Sequence, residues 1–204
     1  MRSRKWLVAL CGLCLTAVTA SAEWERTVSA WDSKLPDQGR FQLSLWGGYW
    51  EWESGGADGK DLDATLYLNY GLADNWSVAL APSYTQWDQD RGGDEAGISD
   101  TDVLSTYRFL NEADTGFDLA VMGRVSLPTG DDDKGLGTGN VEPGAFVILS
   151  KTLGSVIAVA NLGGTLILDA DDGEEDYMLG AVFEGIYPVS EQWSVNGQLA
   201  ASTA

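Results

Sequence analysis

The sequence predicts an all-β fold, an antiparallel up-and-down transmembrane β-barrel. Three observations predict it. An export signal opens the chain, nine segments alternate with period two, and the connections between them alternate between long and short.

The signal comes first. Arg2, Arg4 and Lys5 form a positive start, and Leu7 to Val18 is an apolar run broken only by small residues. Ala20-Ser21-Ala22 supplies the small side chains that signal peptidase needs, so residues 1–22 are expected to be cleaved. The run is shorter than the ~20 apolar residues of a membrane-crossing helix. Cys11 and Cys14 both lie inside it and are preceded by Leu10 and Leu13, not by the small residues of a lipoprotein signal. The remaining chain starts at Glu23. It has no cysteine, hence no disulfide and no thiolate metal site.

Removing 22 of 204 residues leaves 182, enough for one domain. Three positive charges leave with the signal, taking the formal charge from −19 to −22. Such acidity repels phosphate and argues against nucleic-acid partners. Histidine is absent, which removes the usual general base, the usual zinc ligand and the usual partner of a nucleophilic serine. No catalytic residue, metal site or cofactor is expected, and the chain reads as a non-enzyme.

Residues 23–38, with Trp24 and Trp31, show no period and read as an N-terminal extension before a barrel domain over 39–204. From there the alternation starts. In 41–49 it sets Phe41, Leu43, Leu45 and Tyr49 against Gln42, Ser44 and Trp46. In 64–72 Leu66, Leu68, Tyr70 and Leu72 oppose Thr65, Tyr67 and Asn69. In 76–84 Trp76, Val78, Leu80 and Tyr84 oppose Ser77, Ala79 and Ala81. Residues 117–127, 177–187 and 193–201 repeat the pattern. An apolar face opposite a small or polar face is a strand signature. Three segments are less regular: in 99–110 Leu104 falls on the polar side, 141–149 ends in the apolar run Phe146 to Leu149, and 155–168 is apolar on both faces.

The short connections fall near Ala73-Asp74-Asn75, Asn111 to Thr115, Lys151 to Gly154 and Ser190-Glu191-Gln192. The long ones span 53–62, 88–98, 128–140 and 169–176 and hold much of the acid, including Asp131, Asp132, Asp133, Asp171 and Asp172. Since a meander sends every second connection to the same end, one end has tight turns and the other long polar loops, as in outer-membrane barrels. Aromatics gather at both ends. Tyr49, Trp50, Trp52, Tyr84 and Trp87 lie near the long loops, and Tyr70, Trp76, Tyr107, Phe109, Tyr187 and Trp193 near the short turns, as two interfacial girdles would. A soluble sandwich or lipocalin-like barrel is the competing fold, but its outer face would carry more Lys and Glu.

Charges facing lipid at mid-depth cost about 2–4 kcal/mol, so Asp102, Arg108, Asp118, Arg124, Glu142 and Glu184 are expected to line the lumen. There they either pair to brace the barrel or set selectivity. Leu45, Leu68, Leu80, Leu119 and Phe183 are expected to face lipid.

Two further motifs need weighing. Gly135 to Gly139 lacks the Lys-Ser/Thr and following helix of a phosphate loop and reads as a flexible loop. Asp169-Ala170-Asp171-Asp172-Gly173 misplaces the glycine of an EF-hand and has Gly180 where the closing Glu belongs. It reads as a solvated acidic rim suited to divalent ions and lipopolysaccharide.

Gly123-Arg124-Val125-Ser126-Leu127-Pro128-Thr129-Gly130-Asp131, followed by Gly135-Leu136-Gly137-Thr138-Gly139, resembles the signature of barrels grouped as the meta-pathway of phenol degradation family. Gly97-Ile98-Ser99-Asp100, Tyr107-Arg108-Phe109 and Asn161-Leu162-Gly163-Gly164 are similar to that family as well. The resemblance, over roughly 40–200, implies an outer-membrane, transporter-like channel for small hydrophobic or aromatic solutes. The alternative is a structural or adhesive barrel whose acidic outer loops bind cations. Partners would be membrane lipid, lipopolysaccharide and a small solute, with an oligomer left open.

The strand count carries one more expectation. The ninth strand runs the same way as the first, so sealing them would need a parallel pair, whereas bacterial single-chain barrels close antiparallel with even numbers. The barrel is therefore expected to be incomplete within this sequence, with 23–38, a second chain or further strands sealing it.

Overall fold

The computed structural model describes residues 7–10, 14–17, 31, 33–54, 57–90, 93–168, 176–190 and 193–203. After Gly39 the chain is one antiparallel meander. Its strands are β3 (Phe41–Ser54), β4 (Ala57–Ala73), β5 (Trp76–Ala81), β6 (Ser83–Gln89), β7 (Gly93–Ile98) and β8 (Thr101–Leu110), then β9 (Asp118–Leu127), β10 (Glu142–Leu153), β11 (Val156–Leu166), β12 (Tyr177–Pro188) and β13 (Trp193–Ser202). Each passes to its neighbour by antiparallel pairing, and the sheet curls into a half-barrel.

The eleven strands make nine passes, because two passes are each split in the middle. Pro82, which has no N–H for the ladder, separates β5 from β6. Ser99 and Asp100 separate β7 from β8, and Asp100 turns its carboxylate to another task described below.

Two of the expected long loops are instead strand. β3 and β4 stay paired out to Ser54↔Ala57, and β6 and β7 out to Gln89↔Gly93. The acid of 53–62 and 88–98 therefore sits on extended hairpin arms. With 17 residues at ~3.3 Å each, β4 reaches well past the ten-residue passes such as β9. Most of the loop at 169–176 lies outside the described residues.

The two faces differ in kind. On the convex face Leu43, Leu45, Leu162, Phe183 and Leu199 are exposed, Leu45 to 76% and Phe183 to 56%, and Leu68 and Leu80 join them. Leu119 is half-buried, on the same side by alternation with buried Asp118 and Ala120. Phe41, Tyr70, Trp76, Tyr107, Phe109, Tyr187 and Trp193 line the short-turn end of this face, with Phe41 on Tyr70 at 4.6 Å and Tyr107 on Phe109 at 4.8 Å. Tyr49 and Tyr84 stand at the other end. Trp50 and Trp87 do not belong to that girdle. Both lie on the concave side by alternation, Trp50 stacked on Trp46 at 5.8 Å and Trp87 donating to the Lys134 carbonyl at 2.9 Å.

On the concave face small and polar side chains predominate around two apolar islands, a small one of Val159 and Ile186 and a larger one. Tyr67, Ala81, Leu104, Ala120, Met122 and Ile148 are buried together, and Trp31, Ala79 and Phe146 pack on them. This island explains the irregular alternation: Leu104, Phe146 and Ile148 face inward because Trp31 stands opposite them.

Between β8 and β9 a single helical turn, α1 (Glu112–Thr115), tightens the short connection. Asn111 caps it through Ala113 N–H, and Gly116 closes it in the left-handed region at φ 83°. Among the described residues the outer edge of β3 has no strand partner. The far side of β13 pairs with the backbone of β1 (Leu7–Leu10) and β2 (Cys14–Ala17), from within the expected signal. The two end passes do not meet, so the sheet curls without sealing. Residues 33–38 do not seal it, because they take another path.

Candidate functional site

The described part of the N-terminal extension crosses the concave face as a strap. Trp31 sets its ring edge-on to Tyr67, centroids 5.7 Å apart. Its backbone is held at both groups by one side chain: its N–H donates to Asn161 Oδ1, and its carbonyl accepts from Asn161 Nδ2 at 2.9 Å. Two residues on, the Ser33 hydroxyl meets that of Ser150 at 2.7 Å, and Ser33 is fully buried. Leu35 is 8% exposed, and the chain then reaches the rim. There Gly39 N–H donates to the Gly71 carbonyl at 2.8 Å, and Gly71 N–H to the Arg40 carbonyl at 3.0 Å. Gly71 is required at this crossing, because a Cβ would overlap the carbonyl oxygens of Pro36 and Asp37.

Beneath the strap lies a cavity of about 40 Å³. Leu35, Tyr67, Leu104 and Met122 give it apolar walls, and Lys34, Ser44, Asn69, Ser77 and Thr106 give it polar groups. A few polar groups in apolar surroundings is the usual make-up of a small-molecule site.

The strap also joins a polar chain toward the short-turn end. The Ser150 hydroxyl reaches Asp118 Oδ2 at 3.4 Å, and Asp118 accepts from Glu112 N–H at 2.8 Å. Glu112 in turn accepts from Thr152 N–H at 2.6 Å and the Thr152 hydroxyl at 2.9 Å.

At the opposite end, residues 128–140 fold inward against the hairpin arm of β6 and β7. Pro128 follows the end of β9, and the Thr129 hydroxyl bonds the Ser99 carbonyl at 3.0 Å and the Thr101 hydroxyl at 2.9 Å. Asp100 holds both halves of the loop. Gly130 N–H donates to its Oδ1 at 3.0 Å, and Thr138 donates to its Oδ2 from N–H at 2.8 Å and from the hydroxyl at 3.1 Å. Gly137 passes so close to that carboxylate that a Cβ would collide with it. Leu136, 4% exposed, is pressed against Gly97, where a Cβ would stand 2.8 Å from the leucine methyl. The residues that looked like a flexible loop are thus a clamped one, with Gly130 and Gly137 fixed by close approach and Gly135 and Gly139 by left-handed backbone at φ 66° and 71°.

The six interior charges are distributed along this face. Asp102 and Arg124 pair at 2.9 Å, with side chains 17% and 23% exposed. Glu184 is fully buried on β12 and accepts from Asn196 Nδ2 at 2.6 Å. Asp118 is buried at the turn end, and Glu142 is half-buried near the loop end. Arg108 sits on the same side by alternation, yet its Nη2 donates to the Asp74 carbonyl at 3.0 Å, so it fastens a turn and does not reach the middle. At the rim the Lys134 ammonium meets Asp131 at 3.1 Å, and that bond, then the charges of Asp131 and Glu95, hold it above the ordinary lysine range. Among the described residues no group of three carboxylates converges as a metal site would require, and no helix is long and apolar enough to cross a membrane.

The arrangement defines a class: an antiparallel half-barrel with an apolar convex face, and a concave face carrying a strap at its centre and a clamped loop at its rim. Residues 27–202 match the family described as "Putative MetA-pathway of phenol degradation", and the chain belongs to that family. A search of curated proteins returned no match.

Two things were missed in reading the sequence. Trp31, Ser33 and Leu35 lie in a stretch with no period, and their signal is indirect, in the apolar residues that break the alternation of other strands. Asp100 was visible only as part of the family resemblance.

Proposed function

We propose that this chain is a non-enzymatic outer-membrane barrel that passes or binds small hydrophobic or aromatic solutes along its concave face. The observation that carries this reading is the cavity under Trp31, with apolar and aromatic walls, a few hydroxyl and amide groups, and Lys34 in its lining. At about 40 Å³ the cavity is itself smaller than a ring, so it marks where a ring with a polar substituent would dock against these walls once the side chains over it shift. Membrane placement draws support from the convex face. Soluble proteins rarely expose contiguous apolar patches beyond a few hundred Å², and here leucine and phenylalanine cover pass after pass between aromatic ends. Lipid would meet that face, and lipopolysaccharide would meet the acidic hairpin arms.

Proteoliposome swelling tests the reading, with arabinose, glucose and phenyl glucoside as graded solutes. Swelling above protein-free liposomes, with phenyl glucoside faster than its size alone allows, is expected, and Leu104→Asp should remove that preference. No swelling with any solute would favour the structural or adhesive barrel.

A further inference from the structure

We propose that Trp46 and Trp50 on β3, with Asp63 beside them on β4, form an entry subsite for an aromatic ring that carries an O–H or N–H donor. This rests on the solute reading above and adds the place where the ring is first held.

The inward residues of β3 make a track. Ser44, Trp46, Gly48 and Trp50 face the concave side by alternation with exposed Leu43, Leu45 and Tyr49. Ser44 belongs to the wall of the cavity under Trp31. Residues two apart on a strand are separated by about 7 Å, so Trp46 stands one such step from that wall toward the rim and Trp50 three. Four residues of strand would hold the two indoles about 13 Å apart, yet their ring centroids lie 5.8 Å apart. Gly48 makes this possible, because the Trp50 ring folds back across it, where a Cβ would overlap the indole. The two rings are thus set against each other by the chain itself, and docking on them requires little rearrangement.

Two observations fix the class of ligand. The indole planes meet at 41°, so an aromatic ring can lie offset on one and edge-on to the other, the two arrangements such rings favour. Trp50 keeps 36% of its surface exposed for this. Asp63 stands directly opposite Gly48, the residue that the Trp50 ring covers. It faces inward with Thr85, its neighbour on β6, whose hydroxyl donates to Asp63 Oδ1 at 2.7 Å. A carboxylate has about four acceptor positions and no donor. Beside the indoles it accepts from a ligand O–H or N–H and repels an anionic ring.

Fluorine resonances test this. The full chain in detergent is labelled with 5-fluorotryptophan, single Trp→Phe replacements identify the signals of Trp46, Trp50, Trp76 and Trp193, and aniline is titrated. Trp76 and Trp193, exposed on the convex face, report uptake of aniline by the detergent. Saturable shifts at Trp46 and Trp50 together, exceeding those at Trp76 and Trp193, are expected. N,N-dimethylaniline, the same ring without a donor, should bind about tenfold more weakly, and Asp63→Ala should remove that difference. Shifts at Trp46 and Trp50 no larger than those on the convex face overturn the subsite, and equal binding of the two amines overturns the role of Asp63. If Asp63→Ala does not fold, the two amines compared in the unaltered protein decide. Liposome swelling stands apart from these readouts. Swelling with silent indoles keeps passage and overturns the subsite, whereas responsive indoles without swelling keep the subsite and overturn passage alone.

Discussion

The strap at 31–38 and the loop at 128–140 are both irregular backbone laid on the same curved sheet, yet they are held by different means. The loop is latched at the rim by one carboxylate, Asp100, whose three bonds come from residues 30 and 38 positions away. Its glycines let it close on itself. The strap is held in the interior by the Trp31 ring on Tyr67, 36 positions away, and by bonds of Trp31 to Asn161 and Ser33 to Ser150, 130 and 117 positions away. A charge-assisted latch suits a half-exposed rim, whereas hydroxyl and amide contacts suit a buried face because they place no unpaired charge there. The loop is latched at one carboxylate of the rim, and the strap is seated against a packed island.

Substitutions should separate the two. Met122→Ala removes the floor of the island on which Trp31 rests. Met122 is 1% exposed, and such truncations cost about 2–5 kcal/mol, so chemical unfolding in detergent should show the largest loss here. If the loss were negligible, the island would not be the packed centre described. Gly71→Val places a side chain where Pro36 and Asp37 pass. It should cost about 1–3 kcal/mol and expose the strap to protease while leaving the loop protected. Cleavage at the loop instead would reverse the assignment.

Asp100→Ala should do the opposite. It leaves Gly130 and Thr138 without their acceptor, costs about 1–3 kcal/mol, and opens 130–139 to protease with the strap untouched. The smallest effect should come from pH. Lys134 is raised above 10.5 by Asp131, so its favourable contact is present below that value and is lost as pH rises past it. Protease sensitivity of the loop should increase slightly above pH ~10.5 and not in Lys134→Met. A change of equal size in that variant would remove Lys134 from the explanation.

The same contrast decides what could be read in the sequence. The nine passes were legible because a strand writes its two faces at period two in its own residues, as 41–49 and 64–72 do. The loop was legible because its constraints are local: Pro128, Thr129, Gly130, Gly135, Gly137 and Thr138 sit within a dozen residues of one another, so they form a motif. What was misread there was its stiffness, which depends on Asp100 across a strand pair. The hairpin arms at 53–62 and 88–98 were read as loops because Gly, Asp and Glu carry little strand propensity, and ladder pairing with the neighbouring arm overrides that weak preference. The strap left no pattern of its own. Its trace was Leu104 on the polar side and the run Phe146 to Leu149, which only become intelligible once Trp31 is set opposite them.

The central claim, that the segment after Trp31 lies inside the curl of the sheet, can be tested by thiol labelling. The chain has no cysteine beyond Cys14, so single substitutions on the Cys11→Ala, Cys14→Ala background give one thiol each. The account predicts that a membrane-impermeant maleimide labels Ser33→Cys and Leu35→Cys slowly and Asp37→Cys and Gln38→Cys rapidly, following their burial. Trp31→Ala should speed the first two and leave the others unchanged. Equal, rapid labelling at all four positions in the otherwise unaltered protein would contradict the account and place the segment outside the barrel.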